Sequence, residues 1–239
     1  MGAERGDAAP RAAVLAAGVS DRVVEVREDQ EQACRYAAAV LAAAIQHAIE
    51  ERGRADIAVS GGSTPRRMLE LLAGVELPWD ELHVFQVDER IAPHGDRVRN
   101  ANAIIAALGG LPACLHLMPV TADDLDAAAR RYAAQLPEAF DVVHLGLGSD
   151  GHTASLVPGD SVVDVRDRRV SLTAPYQGHR RMTLTRPVLD AARLRVWLVA
   201  GADKAPAVER LLAGDPDQVA ARIRASASMV ILDREAAGR

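Results

Sequence analysis

Short apolar segments alternate with amphipathic segments along nearly the whole chain. Apolar runs bounded by polar turns are typical of buried strands, and apolar residues repeated at helical spacing are typical of helices packed on a sheet. The clearest strand pattern covers residues 142–147, and the longest helix pattern begins after Asp29 and ends at Gly53. Regular alternation of the two patterns is characteristic of βαβ units. It predicts an α/β fold with a doubly wound, mostly parallel sheet that carries helices on both faces.

The predicted elements follow one another without a linker that would divide the chain. Strand patterns cover residues 22–26, 56–60, 82–87, 114–117, 142–147, 195–200 and 229–232, and helix patterns cover residues 29–52, 66–72, 101–108, 125–136 and 204–212. Residues 170–173 and 181–185 predict short antiparallel strands, and Pro187 predicts the start of a further helix. We therefore expect one domain over residues 21–239, preceded by a flexible arm over residues 1–20.

The composition restricts the possible partners. Hydrophobic residues make up 49% of the chain and aromatic residues only 3%, so Ala, Val and Leu must fill the interior of a folded protein. The 28 basic and 33 acidic residues give a net charge of −5, which creates no general attraction to nucleic acid or to anionic lipid. A bound anion must therefore be held by a local pocket.

The sequence indicates neither export nor a cofactor. Cys34 and Cys114 are far apart in the chain, and neither lies in a Cys-x-x-Cys pair or next to a histidine at metal-ligand spacing. The apolar run over residues 12–17 is too short to span a bilayer and too weak for a secretory signal. We expect a reduced, cytoplasmic protein with no membrane segment, no metal and no other cofactor, and we favour a monomer.

Four polar clusters follow predicted strands, at residues 61–64, 88–90, 150–152 and 201–204. Open α/β sheets bind their ligands beyond the carboxyl ends of the strands. We therefore expect the four clusters to converge on one site.

The first cluster, Gly61-Gly62-Ser63-Thr64, lies between a strand and a helix. Free backbone N–H groups and the helix dipole favour an anion at such a position, so the cluster predicts a phosphate site. The alternative is a tight turn in which Thr64 caps the helix and Pro65 is its first residue. The cluster is neither a Walker loop nor a dinucleotide fingerprint, which argues against nucleotides.

The third cluster, Asp150-Gly151-His152, follows the strongest strand pattern. A histidine with a carboxylate neighbour is the usual general base near neutral pH. The alternative is a glycine-rich turn in which Asp150 caps the next helix and His152 is merely exposed. His144 is interpreted as a core residue without a role, and the other histidines form no ligand pair at helical spacing.

The second and fourth clusters supply charge. Asp88-Glu89-Arg90 offers a carboxylate beside a guanidinium, which suits the hydroxyls and the charge of a sugar phosphate, although a surface ion pair is the simpler interpretation. Lys204 is the one lysine among 28 basic residues. It is interpreted either as a compact partner for a phosphate or as an ordinary solvated lysine.

Taken together and in this order, these stretches resemble the 6-phosphogluconolactonase family. The residues that carry the resemblance are 59–65, 87–90 with Asn100, 145–156, 181–185 and 201–205, within a span of residues 24–233. The stretch 145–156 is the most specific. The family shares its fold with amino-sugar-phosphate isomerases and deaminases and with sugar-phosphate sensors. The resemblance implies hydrolysis of 6-phospho-D-glucono-1,5-lactone to 6-phosphogluconate, a step of the oxidative pentose phosphate pathway.

The resemblance also implies roles for individual residues. His152 would take a proton from the attacking water with Asp150 orienting the imidazole, and Arg90 or N–H groups of the glycine-rich turn would stabilise the carbonyl oxygen. The residues expected to bind the phosphorylated sugar lactone are Gly61, Gly62, Ser63, Thr64, Asp88, Asn100, Arg181 and Lys204.

Two other functions stay open. Related deaminases carry a Glu a few residues after the His and tend to have Asp-Glu-Tyr, whereas residues 153–159 contain no acidic residue and Arg90 replaces the tyrosine. Both departures favour the lactonase. A non-catalytic sugar-phosphate sensor would normally carry a DNA-binding module, for which the stretch before the first strand is too short. In addition, Arg99 stands where the family usually has Ser.

Overall fold

The computed structural model describes residues 22–108, 110–112 and 114–239, and the predicted arm over residues 1–20 lies outside them. The strands are β1 (Val23–Arg27), β2 (Ala55–Val59), β3 (Leu82–Gln86), β4 (Asp88–Arg90), β5 (Cys114–His116), β6 (Val142–Leu145), β7 (Val170–Leu172), β8 (Arg181–Leu184), β9 (Leu194–Val199) and β10 (Ser228–Asp233). The helices are α1 (Gln30–Arg52), α2 (Ser63–Ala73), α3 (Asn100–Leu108), α4 (Leu125–Ala133), α5 (Arg186–Ala191) and α6 (Ala205–Ala213).

Seven strands form one parallel sheet in the order β1-β10-β9-β6-β2-β3-β5. Helices α1, α2 and α3 pack against one face, where they bury the side chains of Ile57 and Met229. Helices α4, α5 and α6 pack against the other face, around Phe85 and Trp197. The doubly wound, mostly parallel fold with helices on both faces is therefore confirmed.

The first two helices show how local sequence sets the helix boundaries. The Asp29 side chain accepts a hydrogen bond from the Gln32 N–H at 2.8 Å, and α1 ends at Gly53 with φ 71°, as predicted. The predicted start of the next helix at residue 66 is wrong, because α2 begins at Ser63. Gly62, with φ 118°, precedes it, and Pro65 lies in the first turn, where no intrahelical N–H is needed. The interpretation in which Thr64 caps this helix is therefore wrong as well.

A second, antiparallel sheet has the order β4-β8-β7. The short antiparallel strands predicted around residues 170 and 181 are confirmed. Residues 88–90, predicted as the polar end of the preceding strand, instead form β4, which pairs with β8 so that Asp88 lies opposite Thr183 and Arg90 opposite Arg181. The small sheet thus holds charged side chains just beyond the carboxyl end of β3.

Among the described residues, no helix combines the length and apolar character needed to cross a membrane. Cys34 is buried and Cys114 is half-buried, and both are free thiols.

Candidate active site

A cleft of about 280 Å³ lies beyond the carboxyl ends of β2, β6 and β9, next to the small sheet. It brings together all four predicted clusters. The predicted site residues that line it are Gly61, Gly62, Ser63, Thr64, Asp88, Arg90, Asn100, His152, Arg181 and Lys204. Asp150 itself does not line the cleft, but its carboxylate is hydrogen-bonded to His152, which does.

An imidazole and a carboxylate form a close pair at this cleft. His152 Nδ1 lies 2.5 Å from Asp150 Oδ1, and 22% of the His152 side chain is exposed. The other ring nitrogen, Nε2, has no hydrogen-bond partner in the described part of the chain. Because the carboxylate accepts a hydrogen bond from Nδ1–H, a neutral imidazole carries its proton on Nδ1, and the lone pair of Nε2 is free to act as a base.

Tyr176 extends this pair. Its hydroxyl donates to Asp150 Oδ2 at 2.8 Å, and its ring meets the His152 ring edge-on at a centroid distance of 5.4 Å. Partial burial raises the pKa of Asp150, but the hydrogen bonds from His152 and Tyr176 together outweigh it, so the pKa lies below its ordinary value. The carboxylate therefore stays ionised, which holds the imidazole in one orientation.

The turn that carries the pair depends on Gly148. A Cβ at this position would overlap both the His152 ring and the Asp150 carboxylate. The Gly148 N–H donates to the His152 carbonyl at 2.9 Å, and the Gly151 N–H donates to the Gly148 carbonyl at 2.9 Å. These two N–H groups serve the turn itself, which removes them from the donors predicted to stabilise a carbonyl oxygen.

The start of α2 forms a second wall of the cleft. Gly62 precedes the helix with no side-chain cap, so the N–H groups of Ser63 and Thr64 are not bonded within the helix. Such N–H groups and the positive end of the helix dipole favour an anion. A Cβ at Gly61 would overlap the side chain of Asn100, so glycine is required for this close approach.

Charged side chains complete the wall formed by the small sheet. The Arg90 guanidinium donates from Nη1 to the Val98 carbonyl at 2.9 Å and to Asn100 Oδ1 at 2.7 Å. Asn100 Nδ2 in turn donates to Asp88 Oδ1 at 3.2 Å. Asp88 Oδ2 accepts from the Ser155 hydroxyl at 2.5 Å. These hydrogen bonds hold the Arg90 and Asn100 side chains in place at the start of α3.

Arg181 is a buried cation with few partners. Only 4% of the residue is exposed, its Nη1 lies 3.5 Å from the Ser155 hydroxyl, and its guanidinium carbon lies 5.0 Å from the centre of the Tyr176 ring. Its Nε has no hydrogen-bond partner in the described chain, and neither has Arg90 Nε. Burial lowers the pKa of Arg181, with Asp88 acting in the opposite direction. Since buried charges are stable only when paired, this end of the cleft is suited to an anionic ligand.

Lys204 is the last residue of a short turn, Ala202–Lys204, that comes directly before α6. Its Nζ is 3.1 Å from Asp203, and 26% of its side chain is exposed. The lysine lines the cleft, so a compact ammonium group is available to a ligand there.

Glu89 corrects the interpretation of residues 88–90 as a surface ion pair. Its side chain is fully buried and accepts hydrogen bonds from the N–H groups of Asn100 at 2.7 Å and Ala101 at 2.9 Å. These are N–H groups that the start of α3 leaves free. Arg99, which is also buried, places its Nε 3.0 Å from the same carboxylate. The triplet is therefore not a surface ion pair, because the Glu89 carboxylate binds the start of α3.

Two contacts of the site were not predicted. Tyr176 reaches the Asp150 carboxylate from the turn between β7 and β8, and nothing in its neighbouring sequence signals this contact. Ser155 lies within the most specific stretch of the family resemblance, but its bond to Asp88 joins residues far apart in the chain. Only the folded arrangement of the two sheets brings these side chains to the site.

The fold and the cleft define a class: α/β proteins with a largely parallel sheet and a cleft, suited to a small anionic ligand, beside an Asp–His pair. The family model described as glucosamine-6-phosphate isomerases/6-phosphogluconolactonase matches residues 28–232. The chain belongs to this family. A relative from Synechocystis sp. named 6-phosphogluconolactonase is 39% identical over 214 residues, which cover 80% of this chain and 87% of the relative.

Solved structures agree on the fold. The 6-phosphogluconolactonase of Trypanosoma brucei superposes with a TM-score of 0.81 at 26% identity, covering 92% of this chain and 99% of that one. A monomeric glucosamine-6-phosphate deaminase superposes almost equally well, with a TM-score of 0.80 at 22% identity, covering 90% of this chain and 99% of that one. The fold alone therefore does not separate the two activities, and the side chains of the cleft must do so.

Proposed function

We propose that the protein hydrolyses 6-phospho-D-glucono-1,5-lactone to 6-phospho-D-gluconate, a step of the oxidative pentose phosphate pathway. The observation that carries the proposal is the Asp150–His152 pair, whose free Nε2 adjoins a cleft lined by Arg90, the buried Arg181 and a helix start. The curated relatives named 6-phosphogluconolactonase, at 35% and 39% identity, support the same activity.

The His152 imidazole acts as the general base. Nε2 takes a proton from a water molecule as the water oxygen attacks C1 of the lactone. The tetrahedral intermediate then breaks the bond between C1 and the ring oxygen, and the imidazolium returns its proton to that oxygen. Asp150 keeps its negative charge throughout and stabilises the imidazolium. A lactone already reacts slowly with water, so this mechanism requires neither a covalent nucleophile nor a metal.

The guanidinium groups of the small sheet stabilise the charge that develops on the carbonyl oxygen. Gly148 and Gly151 use their N–H groups within the turn, whereas the side chains of Arg90 and Arg181 line the cleft. A positive charge fixed in a partly dry cleft stabilises an oxyanion without reorganising during the reaction. We therefore assign this role to Arg90, with Arg181 beside it.

The 6-phosphate binds at the start of α2 and near Lys204. The free N–H groups of Ser63 and Thr64 point to this position, and Gly62 leaves the backbone accessible. An adjoining cleft, lined by Arg66 and Arg97, adds further positive charge next to Ser63. Asp88 and Asn100, which line the cleft next to His152, contact the sugar hydroxyls.

The carboxylates of the cleft favour the lactonase over a deaminase. Among the described residues that line the cleft, Asp88 is the only acidic one. Both of its oxygens already accept protein hydrogen bonds, from Asn100 and Ser155. Ring opening and proton shuttling on an amino sugar need a further carboxylate, which the family's deaminases place shortly after the histidine. Residues 153–159 provide none.

The test is lactone disappearance followed by NMR, with the lactone made in situ and the spontaneous rate subtracted. His152→Ala should lower kcat at least about 100-fold, because general base catalysis contributes roughly 10²–10⁴-fold. His94→Ala, which removes an exposed histidine, is the matched control and should leave kcat unchanged. Lys204→Ala should mainly raise KM, by about ten-fold, because it removes one charged contact to the phosphate.

The outcomes separate the alternatives. If the wild type only matches the spontaneous rate, the lactonase is excluded, and release of ammonia from glucosamine 6-phosphate tests the deaminase. Tight binding of a sugar phosphate without turnover of either substrate would identify a non-catalytic binding protein. If His152→Ala stays fast, the activity stands but the imidazole is not the base.

Cellular location and oligomeric state are further parts of the proposal. We place the protein in the cytoplasm as a monomer, and the free thiols of Cys34 and Cys114 are consistent with a reducing compartment. Cell fractionation and light scattering test the two statements separately.

A further inference from the structure

Three side chains with metal-binding atoms meet at the edge of the large sheet, away from the active site. His83 lies in β3 and pairs in register with Cys114 of the edge strand β5, and His116 follows two residues later on the same face. All three residues are partly exposed. One ligand atom from each lies within 4.8 Å of the others. Strand pairing, and not spacing along the sequence, creates this group.

The group lies at the outer edge of the sheet, and none of its three residues lines the cleft. His83 precedes Asp88 by five residues, which corresponds to about 16 Å along an extended chain. The active site uses the carboxyl ends of the strands, whereas His83 and Cys114 lie at the amino ends of β3 and β5. A ligand bound here is therefore separate from the proposed reaction.

The distances approach those of a zinc site. His83 Nδ1 and His116 Nε2 are 3.0 Å apart. Two nitrogens bound to one Zn²⁺ at about 2.0–2.1 Å in a tetrahedral arrangement stand about 3.3 Å apart. The imidazoles thus need to separate by only a few tenths of an ångström. The Cys114 sulfur, which lies within 4.8 Å of a ring nitrogen of each histidine, must move closer to reach its Zn–S distance of about 2.3 Å.

A further contact prepares His116 to act as a ligand. Its Nδ1 lies 3.2 Å from Gln135 Oε1, and Gln135 Nε2 donates to the Arg131 carbonyl at 3.4 Å. The amide is thereby oriented with its oxygen towards the imidazole, so Nδ1 carries the proton and Nε2 is unprotonated. Metal-bound histidines typically have such a partner on the other nitrogen, which fixes the ring and its tautomer.

We propose that His83, Cys114 and His116 bind a single divalent transition-metal ion of the Zn²⁺ type, with water in the fourth position. Two imidazoles and a thiolate are a donor set that such borderline-soft ions prefer over Mg²⁺ or Ca²⁺. Binding replaces the hydrogen bond between the two imidazoles, shifts the His83 proton from Nδ1 to Nε2, and releases the Cys114 thiol proton to solvent. The bound ion links the edge strand β5 to β3.

The test uses tag-free, reduced, metal-free protein titrated with Co²⁺, which reports thiolate ligation through a charge-transfer band in the near ultraviolet. The wild type should bind one equivalent, with one proton released per ion. Cys114→Ser should lose the band, and His83→Asn should bind at least ten-fold more weakly. Cys34→Ala removes the other thiol and is the matched control, so its band should persist.

Zn²⁺ should displace Co²⁺ and raise the thermal midpoint of the wild type but not that of His83→Asn. Lactone hydrolysis by metal-free His83→Asn should equal that of the wild type, which verifies that this variant is folded. Absence of a charge-transfer band in the wild type, or its survival in Cys114→Ser, would overturn the proposal. Loss of the band in Cys34→Ala would instead identify Cys34 as the thiolate ligand, and it too would overturn the proposal.

Discussion

The buried imidazole of His144 makes the stability of the fold depend on pH. His144 lies in the central strand β6 with no exposed surface, and its Nδ1 accepts a long hydrogen bond from the Ser60 N–H at 3.4 Å. Its Nε2 has no partner among the described residues. Burial lowers the pKa of His144 from 6.5 to about 4, because a charged ring would lose its hydration.

The sign of the effect follows from proton counting. Between pH 6.5 and pH 4 the unfolded chain binds the His144 proton and the folded chain does not, so the free energy of unfolding falls as the pH is lowered. Above pH 6.5 the residue has no effect. The difference between 6.5 and about 4 corresponds to about 3 kcal/mol over the full range, at about 1.4 kcal/mol per pKa unit. Between pH 7.5 and pH 5.0 the expected loss is about 2 kcal/mol.

Urea denaturation at pH 7.5 and pH 5.0, followed by the fluorescence of the buried Trp197, measures this loss. Other groups also titrate in this range, so the informative quantity is the difference between the wild type and His144→Asn. Asparagine keeps an acceptor near the position of Nδ1 but cannot take up a proton. We expect the variant to be less stable at pH 7.5 and to lose about 2 kcal/mol less than the wild type on acidification.

His94→Gln is the control, because it removes an exposed histidine outside the core. Its pH dependence should match that of the wild type. The same loss of stability in the wild type and His144→Asn would refute the reasoning, since the buried imidazole would then contribute nothing to the pH dependence.

Four further substitutions test contacts of the site. Glu89→Gln leaves the buried Arg99 guanidinium beside a neutral amide and should cost about 3–5 kcal/mol in chemical denaturation, whereas Arg99→Ser should cost less because backbone N–H groups still hold the carboxylate. Tyr176→Phe removes the donor to Asp150 and should lower kcat about five-fold at unchanged KM, given about 1 kcal/mol for this partly exposed bond; an unchanged kcat would exclude a positioning role. Gly148→Ala should remove lactonase activity from a protein that circular dichroism finds folded, because the added Cβ overlaps the catalytic ring; retained activity would contradict this geometry.

Much of the large sheet could be predicted because each of its strands is recognisable from its own short stretch of sequence. A parallel strand buried on both faces reads as an apolar run, and its carboxyl end marks the ligand side whichever neighbour it pairs with. The polar clusters after β2, β6 and β9 therefore converge as predicted. No knowledge of strand order was needed for this conclusion.

The predictions failed where pairing between distant segments decides the structure. Residues 88–90 follow directly on an apolar strand, and only their pairing with β8 makes them a separate strand that buries Glu89. The sequence pattern predicts the start of α2 at residue 66, whereas Gly62, with its positive φ, lets the helix begin at Ser63. The grouping of His83, Cys114 and His116 depends in the same way on strand register, which spacing along the sequence does not reveal.

The division of the site between two sheets explains why Ser155 matters although it does not take part in the proposed chemistry. The base lies on the turn after β6 of the large sheet, whereas the arginines lie on β4 and β8 of the small one. The Ser155 hydroxyl donates to Asp88 of β4, and its N–H donates to the Thr183 hydroxyl of β8 at 3.3 Å. The segment that follows His152 is therefore bonded to both strands. The distance between the proposed base and the proposed oxyanion partners is thus set by side-chain contacts between the sheets, because neither sheet alone holds both.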